Sequence, residues 1–308
     1  MNLLGLLFIT ISVFGGTIKG FCGKNLGTYA HSVTDSAKLN CIRMIFCTIV
    51  SLIVICFQGN LNHITSVTTV TLIIASFASV FTCIFIISWL MSVRGSAYML
   101  VSVFLNLGVI VPIFLSAIFF GQTVTLKEII GIVILLVAIW LMLGYNKSLN
   151  GGFTLKDFLL LLVCGVANGL CDFLVGSTEK LGNILNTTFS LESAHVDDTA
   201  FNFYMYIFSF ILLLGYTFFS SKTTHKAQIK IDKKIIVYLV IMAIFLFVNT
   251  YFKSLAGRLL TSTQLFSINT GGSLVLASIM ASIMFKEKPT VKSTIGIVLT
   301  FVSLIFLK

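Results

Sequence analysis

The stretch FKEKPTVKSTIGIV at residues 285–298 nearly repeats FGQTVTLKEIIGIV at residues 120–133, and the two lie 165 residues apart. Phe, Thr, Lys, Ile, Gly, Ile and Val coincide in register. Two unrelated apolar hairpins would share aliphatic residues, whereas these stretches also share polar and small ones. The pattern therefore indicates an internal repeat, with the same short connector in each copy.

The composition excludes a water-soluble globule. Of 308 residues, 57% are hydrophobic and 10% are charged, whereas soluble domains carry about 25% charged residues. The net charge of +10 comes from lysines and arginines in short segments between apolar runs, where membrane proteins meet anionic headgroups. Because no motif combines aromatic with basic residues, we expect the lipid bilayer as a partner and no nucleic acid.

Ten apolar runs predict an all-α polytopic membrane protein with ten transmembrane helices. A spanning helix needs about 20 largely apolar residues, whereas a β-barrel shows alternating segments of about ten. The first run lacks the basic start and the cleavage site of a signal peptide, so we expect it to be retained as a helix. The predicted spans are 3–22, 38–57, 67–91, 95–120, 127–145, 157–178, 201–219, 235–254, 259–285 and 291–307.

The repeated stretch falls at the same place in two sets of five spans. The second copy lies five spans after the first, and an odd number of spans forces the two copies into opposite orientations. We therefore predict two inverted five-helix repeats, 1–145 and 157–308, joined by a linker at 146–156. Secondary transporters have this architecture, with the substrate site at the repeat interface near the middle of the membrane.

The connector also predicts local structure. Thr125 and Thr290 precede the last helix of each repeat and suit N-caps. Pro289 suits an extended backbone just before that helix. Gly131 and Gly296 would let a neighbouring backbone approach closely.

The segments FKEKPT at 285–290 and IGIV at 295–298, with their first copies and the ten spans, resemble the drug/metabolite transporter superfamily in its EamA-like branch. Members commonly carry a Gly-Glu-x-x-Thr/Ser connector before a last helix that contains Gly. Here Glu287 matches, whereas Lys286 replaces the Gly and Gln122 replaces the acid in the first copy. The resemblance implies a membrane transporter of amino acids, nucleotide sugars, metabolites or drugs, and these motifs specify fold rather than substrate.

Asp172 is the clearest candidate for a functional residue, because an ionisable side chain inside a span is costly. It lies in GVANGLCDFLVGS of the sixth span, and Asn168 precedes it by about one turn on the same helical face. The pair either binds a substrate or a coupling proton in a central cavity, or holds neighbouring helices together.

Polar residues of the fourth and ninth spans extend this candidate site. They are Ser102 and Asn106 in the fourth span, and Gln264, Ser267 and Asn269 in the ninth. Such groups allow close helix packing and can line a cavity, so we expect Asn106 and Asn269 to face the interior. The Gly271-Gly272 pair would loosen the ninth helix and free carbonyls for a ligand.

Two cations and two tyrosines lie in or near spans. Lys19 takes the position in the first span that Asp172 takes in the sixth, but their helical rise places them roughly 15 Å apart in depth. We therefore expect Lys19 to reach the membrane surface. Arg43 is expected to anchor the second span at the interface rather than to neutralise an anionic substrate. Tyr204 and Tyr206 suit an aromatic belt, or stacking on an aromatic substrate.

The loop charges and the resemblance predict opposite orientations. Fifteen of the 20 lysines and arginines, Lys19 and Arg43 included, are counted with the loops after odd-numbered spans, and five, Lys253 among them, are counted on the other side. The positive-inside rule then places both termini outside, whereas ten-helix members of the family usually have both termini inside. A C-terminal reporter fusion distinguishes the two.

The function predicted from the sequence is a secondary-active, alternating-access carrier of a small metabolite in the plasma membrane, with Asp172 as the candidate for proton coupling. The chain has no Walker motif for ATP, no C-x-x-C and only widely separated histidines. We therefore expect no metal, no cofactor and no membrane-embedded enzyme. The alternative is a scaffold or sensor that keeps the transporter fold, which the glutamine at position 122 allows. The substrate, the direction and the choice between monomer and homodimer stay open.

Overall fold

The computed structural model describes residues 2–59, 61–121, 123, 125–150, 154–189, 196–222, 229–287 and 290–306. Some positions have a described backbone only: 63, 142–150, 189, 221–222, 263, 267, 293 and 304. The helices are α1 (Leu3–Gly27), α2 (Val33–Phe57), α3 (Asn62–Thr65), α4 (Thr69–Gly95), α5 (Tyr98–Leu107), α6 (Ile110–Phe120), α7 (Leu126–Asn150), α8 (Leu155–Gly176), α9 (Thr178–Phe189), α10 (Asp198–Lys222), α11 (Lys233–Leu259), α12 (Ser262–Met284) and α13 (Val291–Phe306).

Every predicted span has a helical counterpart, which confirms an all-α, multi-pass membrane protein. Within the described ranges, eight helices are long and apolar enough to cross a membrane, with α5 and α6 counted as one. The fifth and tenth spans correspond to α7 and α13, which pack against each other. Two short helices in the connections, α3 and α9, have no counterpart among the predicted spans.

Several helices extend beyond the apolar runs that predicted them. Helix α7 continues to Asn150 and α11 to Leu259, past the predicted ends at 145 and 254. An apolar run marks the length that lipid covers, whereas a helix continues as long as its backbone hydrogen bonds do. The predicted linker at 146–156 is therefore shorter, because α8 begins at Leu155. Lys253, which was counted with the loop charges at the end of the predicted eighth span, therefore lies well inside α11.

Side-chain caps fix where helices begin. Thr125 Oγ1 accepts the N–H of Glu128 at 3.3 Å, and Glu128 Oε2 accepts the N–H of Thr125 at 2.6 Å. This reciprocal capping box confirms the predicted cap at Thr125. Thr154 and Asp157 start α8 in the same way. Such pairs satisfy helix amides that have no partner inside the helix.

The helices pack in the pattern that a two-fold axis would produce. Helix α1 packs on α11, and their repeat equivalents α8 and α4 pack on each other. Helix α2 packs on its equivalent α10, as α7 does on α13. The contact of α5 and α6 with α8 is matched by that of α12 with α1. The most extensive packing thus joins the two halves of the chain to each other.

The two connectors share a left-handed backbone position. Gly121 has a φ of 64°, and Lys286, which stands 165 residues later, has a φ of 53°. The register of the sequence repeat therefore holds in the backbone as well. Thr290 directly precedes α13, whereas Gln122 and Pro289 lie outside the described residues.

The fourth span is interrupted between α5 and α6 at Gly108, which lies directly against α8. A Cβ added to Gly108 would lie 2.4 Å from the carbonyl oxygen of Gly165, and one added to Gly169 would lie 2.1 Å from that of Gly108. Only glycine allows two backbones to approach so closely. The loosening predicted at Gly271-Gly272 is not observed, since α12 continues through both residues.

Candidate functional site

A cavity of about 120 Å³ lies among seven helices, α1, α4, α5, α8, α10, α11 and α12, drawn from both halves of the chain. In the described part of the chain, the charged side chains that line it are Lys19, Asp172 and Lys253. Asparagines and hydroxyl groups complete the polar part of its wall, and aromatic and aliphatic side chains form the rest. This cavity contains most of the predicted site.

Asp172 lies at the centre of the polar wall. Its Oδ1 is 2.5 Å from Lys253 Nζ, and the two side chains are 15% and 5% exposed. Its Oδ2 accepts hydrogen bonds from Asn168 Nδ2 at 3.5 Å and from Asn269 Nδ2 at 3.4 Å. The fold thus places two predicted residues, Asn168 of α8 and Asn269 of α12, beside the carboxylate of Asp172. It adds Lys253 of α11, which was not predicted to belong to the site.

Lys253 was counted among loop residues because the predicted eighth span ended just beyond it. The sequence did contain a signal, since Asn249, Lys253 and Gly257 recur at intervals of four and share one face of α11. Asn249 lines the same cavity and donates from Nδ2 to Ser12 O at 2.8 Å. The face of α11 that carries Asn249 and Lys253 therefore faces the interior, although it runs past the end of the predicted eighth span.

Lys19 also lines the cavity, so the prediction that it reaches the membrane surface is wrong. Its Nζ lies 5.8 Å from the centroid of the Phe85 ring, a cation–π contact. Its charge interacts with those of Asp172 and Lys253. The difference in helical depth predicted no direct bond between Lys19 and Asp172. The ion pair that the structure describes for Asp172 is instead with Lys253.

Arg43 does not anchor α2 at the interface, which corrects the sequence-based expectation. Its side chain is 1% exposed, and its Nε and Nη2 atoms have no hydrogen-bond partner among the described residues. It interacts electrostatically with Tyr206 and Lys19, which both line the cavity. The apolar run from 38 to 57 placed Arg43 near a helix end, whereas α2 begins at Val33 and brings this residue close to the middle of the helix.

The remaining predicted residues divide between the cavity and the helix scaffold. Ser102 and Asn106 line the cavity on α5, where Asn106 Nδ2 donates to Ser102 O at 2.8 Å. Gln264 does not line the cavity and instead forms a capping box with Thr261 at the start of α12. The side chain of Ser267 lies outside the described residues.

The two tyrosines of α10 have different environments. Tyr206 is fully buried, lines the cavity and shares a 2.5 Å hydrogen bond with Thr250 Oγ1, so it does not belong to an aromatic belt. Tyr204 donates to Ile64 O at 2.7 Å, outside the cavity lining.

An ionic network joins α11 to α9 and α10 beyond the part of α11 that lines the cavity. One turn beyond Lys253 on α11, Arg258 Nη2 lies 2.6 Å from Asp198 Oδ2 and its Nε lies 3.1 Å from Glu179 Oε2. Ser254 donates to Asp198 in the same network. Below it, the backbones of α8 and α11 touch at Gly176 and Gly257. Nearby in α9, burial lowers the pKa of Lys180.

Aromatic side chains cluster beside Tyr98 of the cavity lining, next to the connector between α12 and α13. The Phe285 ring stacks on Phe21 with centroids 5.8 Å apart and tilts against Tyr98 at 5.2 Å. Trp89 lies over Gly23, where no larger residue would fit. The ionic network and the aromatic cluster are both built from side chains that come from separate helices.

Comparison with known proteins gives a family and a fold. The model of the EamA-like transporter family matches residues 3–144 and 184–308. A solved structure described as "Crystal structure of protein" is similar with a TM-score of 0.59 and 10% sequence identity, and the match covers 97% of this chain and 95% of that chain. At that identity the likeness shows the fold alone. No curated protein matches this chain.

Proposed function

This chain belongs to the EamA-like transporter family, and from that premise we propose that it is a secondary-active carrier. It moves a small metabolite across the plasma membrane by alternating access through the cavity around Asp172. The observation that carries the proposal is this polar cavity among helices of both halves of the chain, and we infer that the ionic network and the aromatic cluster act as its two closures. A carrier must open one such closure at a time, so that the solute meets only one side.

The two closures differ in chemistry, which supports separate opening. The network of Arg258 with Asp198 and Glu179 consists of directional ion pairs. The cluster of Phe21, Tyr98 and Phe285 consists of apolar stacking. Ion pairs separate when water enters between them, whereas aromatic rings slide against one another at low cost. Each closure can therefore open while the other stays packed.

The moving bodies each take helices from both halves of the chain. Helices α1 and α11 pack extensively, as do their equivalents α4 and α8, so a rocking motion that separated residues 1–145 from 157–308 would break the largest interfaces. We infer that the mixed bundles move as units around the cavity. We therefore do not propose that residues 1–145 and 157–308 move as two rigid bodies.

Asp172 is the candidate for proton coupling because its protonation would remove the partner of Lys253. The 2.5 Å ion pair joins α8 to α11, which both continue into the closure that faces α9. Loss of the carboxylate charge would weaken that link and favour opening at this end. A proton taken up on one side and released on the other would then drive solute transport.

The test is uptake by the purified full-length protein in liposomes under an imposed proton gradient. We expect at least one solute of a radiolabelled metabolite library to accumulate, and Asp172→Asn to abolish accumulation while facilitated exchange persists. The matched control is Asp157→Asn, which makes the same change outside the cavity at the start of the same helix, where the asparagine oxygen can still accept the N–H of Thr154. Unchanged accumulation by Asp172→Asn contradicts the coupling role. Ligand binding without flux of any solute would favour the scaffold or sensor instead.

A further inference from the structure

We propose that the central cavity binds a small organic carboxylate, with Lys19 as the residue that holds its negative group. This inference rests on the proposed carrier function and names its substrate class. It derives from the balance of charge in the cavity, from the apolar surfaces beside Lys19, and from the buried guanidinium of Arg43.

The carboxylate of Asp172 is already committed. It forms a 2.5 Å ion pair with Lys253 and accepts hydrogen bonds from two asparagines. Among the described residues that line the cavity, it is the single acidic side chain. The pair formed by Asp172 and Lys253 is therefore neutral, and among the described residues of the cavity wall no second carboxylate is left to form an ion pair with the other cations of this region.

Lys19 is the first of these cations. The contact that the structure gives its ammonium group is the face of the Phe85 ring, and no described carboxylate forms an ion pair with it. It lies within electrostatic range of Asp172, and also of Lys253 and Arg43, whose like charges oppose the attraction of that carboxylate. An ammonium group in such a position is strongly disfavoured in a membrane interior, and a bound anion would offset that cost.

Arg43 is the second cation and an independent observation. Its side chain is 1% exposed, and in the part of the chain that the structure describes two of its nitrogen atoms, Nε and Nη2, have no hydrogen-bond partner. Buried charges in proteins are normally paired, so an unpaired guanidinium next to Lys19 indicates a missing negative partner. The two cations together produce a positive field over the side of the cavity that Tyr206 and Lys19 form.

The walls select an organic anion over an inorganic one. The Phe85 ring lies against Lys19, and Trp89 and Tyr98 add further flat apolar surfaces to the cavity lining. The amides of Asn106 and Asn168 also line the cavity. A cavity of about 120 Å³ accepts only a small molecule. A carboxylate with a compact apolar or aromatic body satisfies the charge and the surfaces at once.

The experiment measures thermal unfolding of the purified full-length protein with matched ligands that differ in charge. Benzoate and phenylacetate are compared with benzamide, phenylacetamide and benzylamine at constant sodium chloride. We expect the carboxylates to raise the unfolding midpoint and the amides and the amine to leave it unchanged. Equal shifts of the midpoint from a carboxylate and its amide overturn the proposal. In a separate titration with sodium chloride alone, a shift as large as that from the carboxylates also overturns it.

Variants of Lys19 test the assigned residue. Lys19→Gln should raise the midpoint without ligand, because it removes an unpaired buried charge. It should also weaken carboxylate binding by roughly ten- to a hundredfold, which corresponds to the loss of one charged hydrogen bond. Lys19→Arg should retain binding, and Lys19→Met serves as a second neutral variant. Lys156→Gln, at the exposed start of α8, removes one charge outside the cavity and should change neither quantity. Unaltered carboxylate binding by Lys19→Gln contradicts the assignment.

Failure of this inference is distinguishable from failure of the proposed function. If the native protein binds carboxylates, Lys19→Gln abolishes that binding, and no solute crosses the liposome membrane, the carrier is refuted and the anion site stands. If neutral or cationic solutes cross and Lys19→Gln does not change their flux, the carrier is supported and the anion site is refuted.

Discussion

Lys253 Nζ lies 2.5 Å from Asp172 Oδ1, which joins α11 to α8 across 81 residues of sequence inside the membrane. Loss of one partner from a buried pair leaves an uncompensated charge and costs about 3–5 kcal/mol. We expect Asp172→Asn and Lys253→Gln each to lower the unfolding midpoint of the detergent-solubilised protein. The double variant should recover much of the loss, because neither charge then lacks its partner.

The control for this pair is Lys233→Gln, an exposed lysine on the same helix α11. It removes the same charge without breaking a buried contact, so its midpoint should stay within error of the native protein. Destabilisation in the double variant that equals the sum of the two single effects would show that the pair is not energetically coupled.

Glu287 links the connector of the second half to the first half. Its Oε1 accepts the N–H of Tyr98 at 2.7 Å and its Oε2 accepts that of Met99 at 3.1 Å. The carboxylate thus caps the N-terminus of α5, where a negative charge is favourable. We expect Glu287→Ala to destabilise the protein by about 0.5–2 kcal/mol, measured as reduced thermal stability. Lys292→Ala, exposed in the first turn of α13, is the comparison. Equal midpoints for the two variants would contradict the capping role.

Lys286 and Gly121 allow a reciprocal test of the repeat. Both have positive φ, and a residue with a Cβ pays roughly 1–2 kcal/mol in that region. Lys286→Gly should therefore stabilise the protein, and Gly121→Ala should destabilise it, although Gly121 has open space around its Cα. Thermal unfolding of the two variants checks the opposite signs. Shifts of the same sign would argue against strain at these positions.

The contact of α5 and α6 with α8 depends on glycine. A Cβ on residue 169 would lie 2.1 Å from Gly108 O, and overpacking of this kind costs about 1–3 kcal/mol. We expect Gly169→Ala to lower the unfolding midpoint. Gly215→Ala is the matched control, because no atom of the described residues lies within 4 Å of its added Cβ and alanine favours a helix by about 0.5–1 kcal/mol. Stabilisation by both substitutions would show that α8 can move away without cost.

The candidate site could be predicted in part. Asp172 and Asn168 lie one turn apart on the same helix, so their shared face follows from sequence spacing alone. Asn269 and Lys253 reach the same carboxylate from other helices, and no local pattern specifies which helices meet. Lys19 and Arg43 were misplaced for a related reason, since the ends of apolar runs do not mark the ends of helices. Their removal from the loop count leaves the same side of the membrane richer in positive charge, so the orientation predicted from charge is unchanged.

The sequence by itself determined the ten spans, the inverted repeat and the capped connector at Thr125. These features depend on interactions between residues close in the chain, or on an apolar run long enough to satisfy its backbone inside lipid. Only the tertiary structure decided that α8 lies against α11, that Asp172 meets Lys253, and that Glu287 caps α5. Those contacts join residues far apart in sequence, and they depend on which helix faces approach one another when small residues allow close packing.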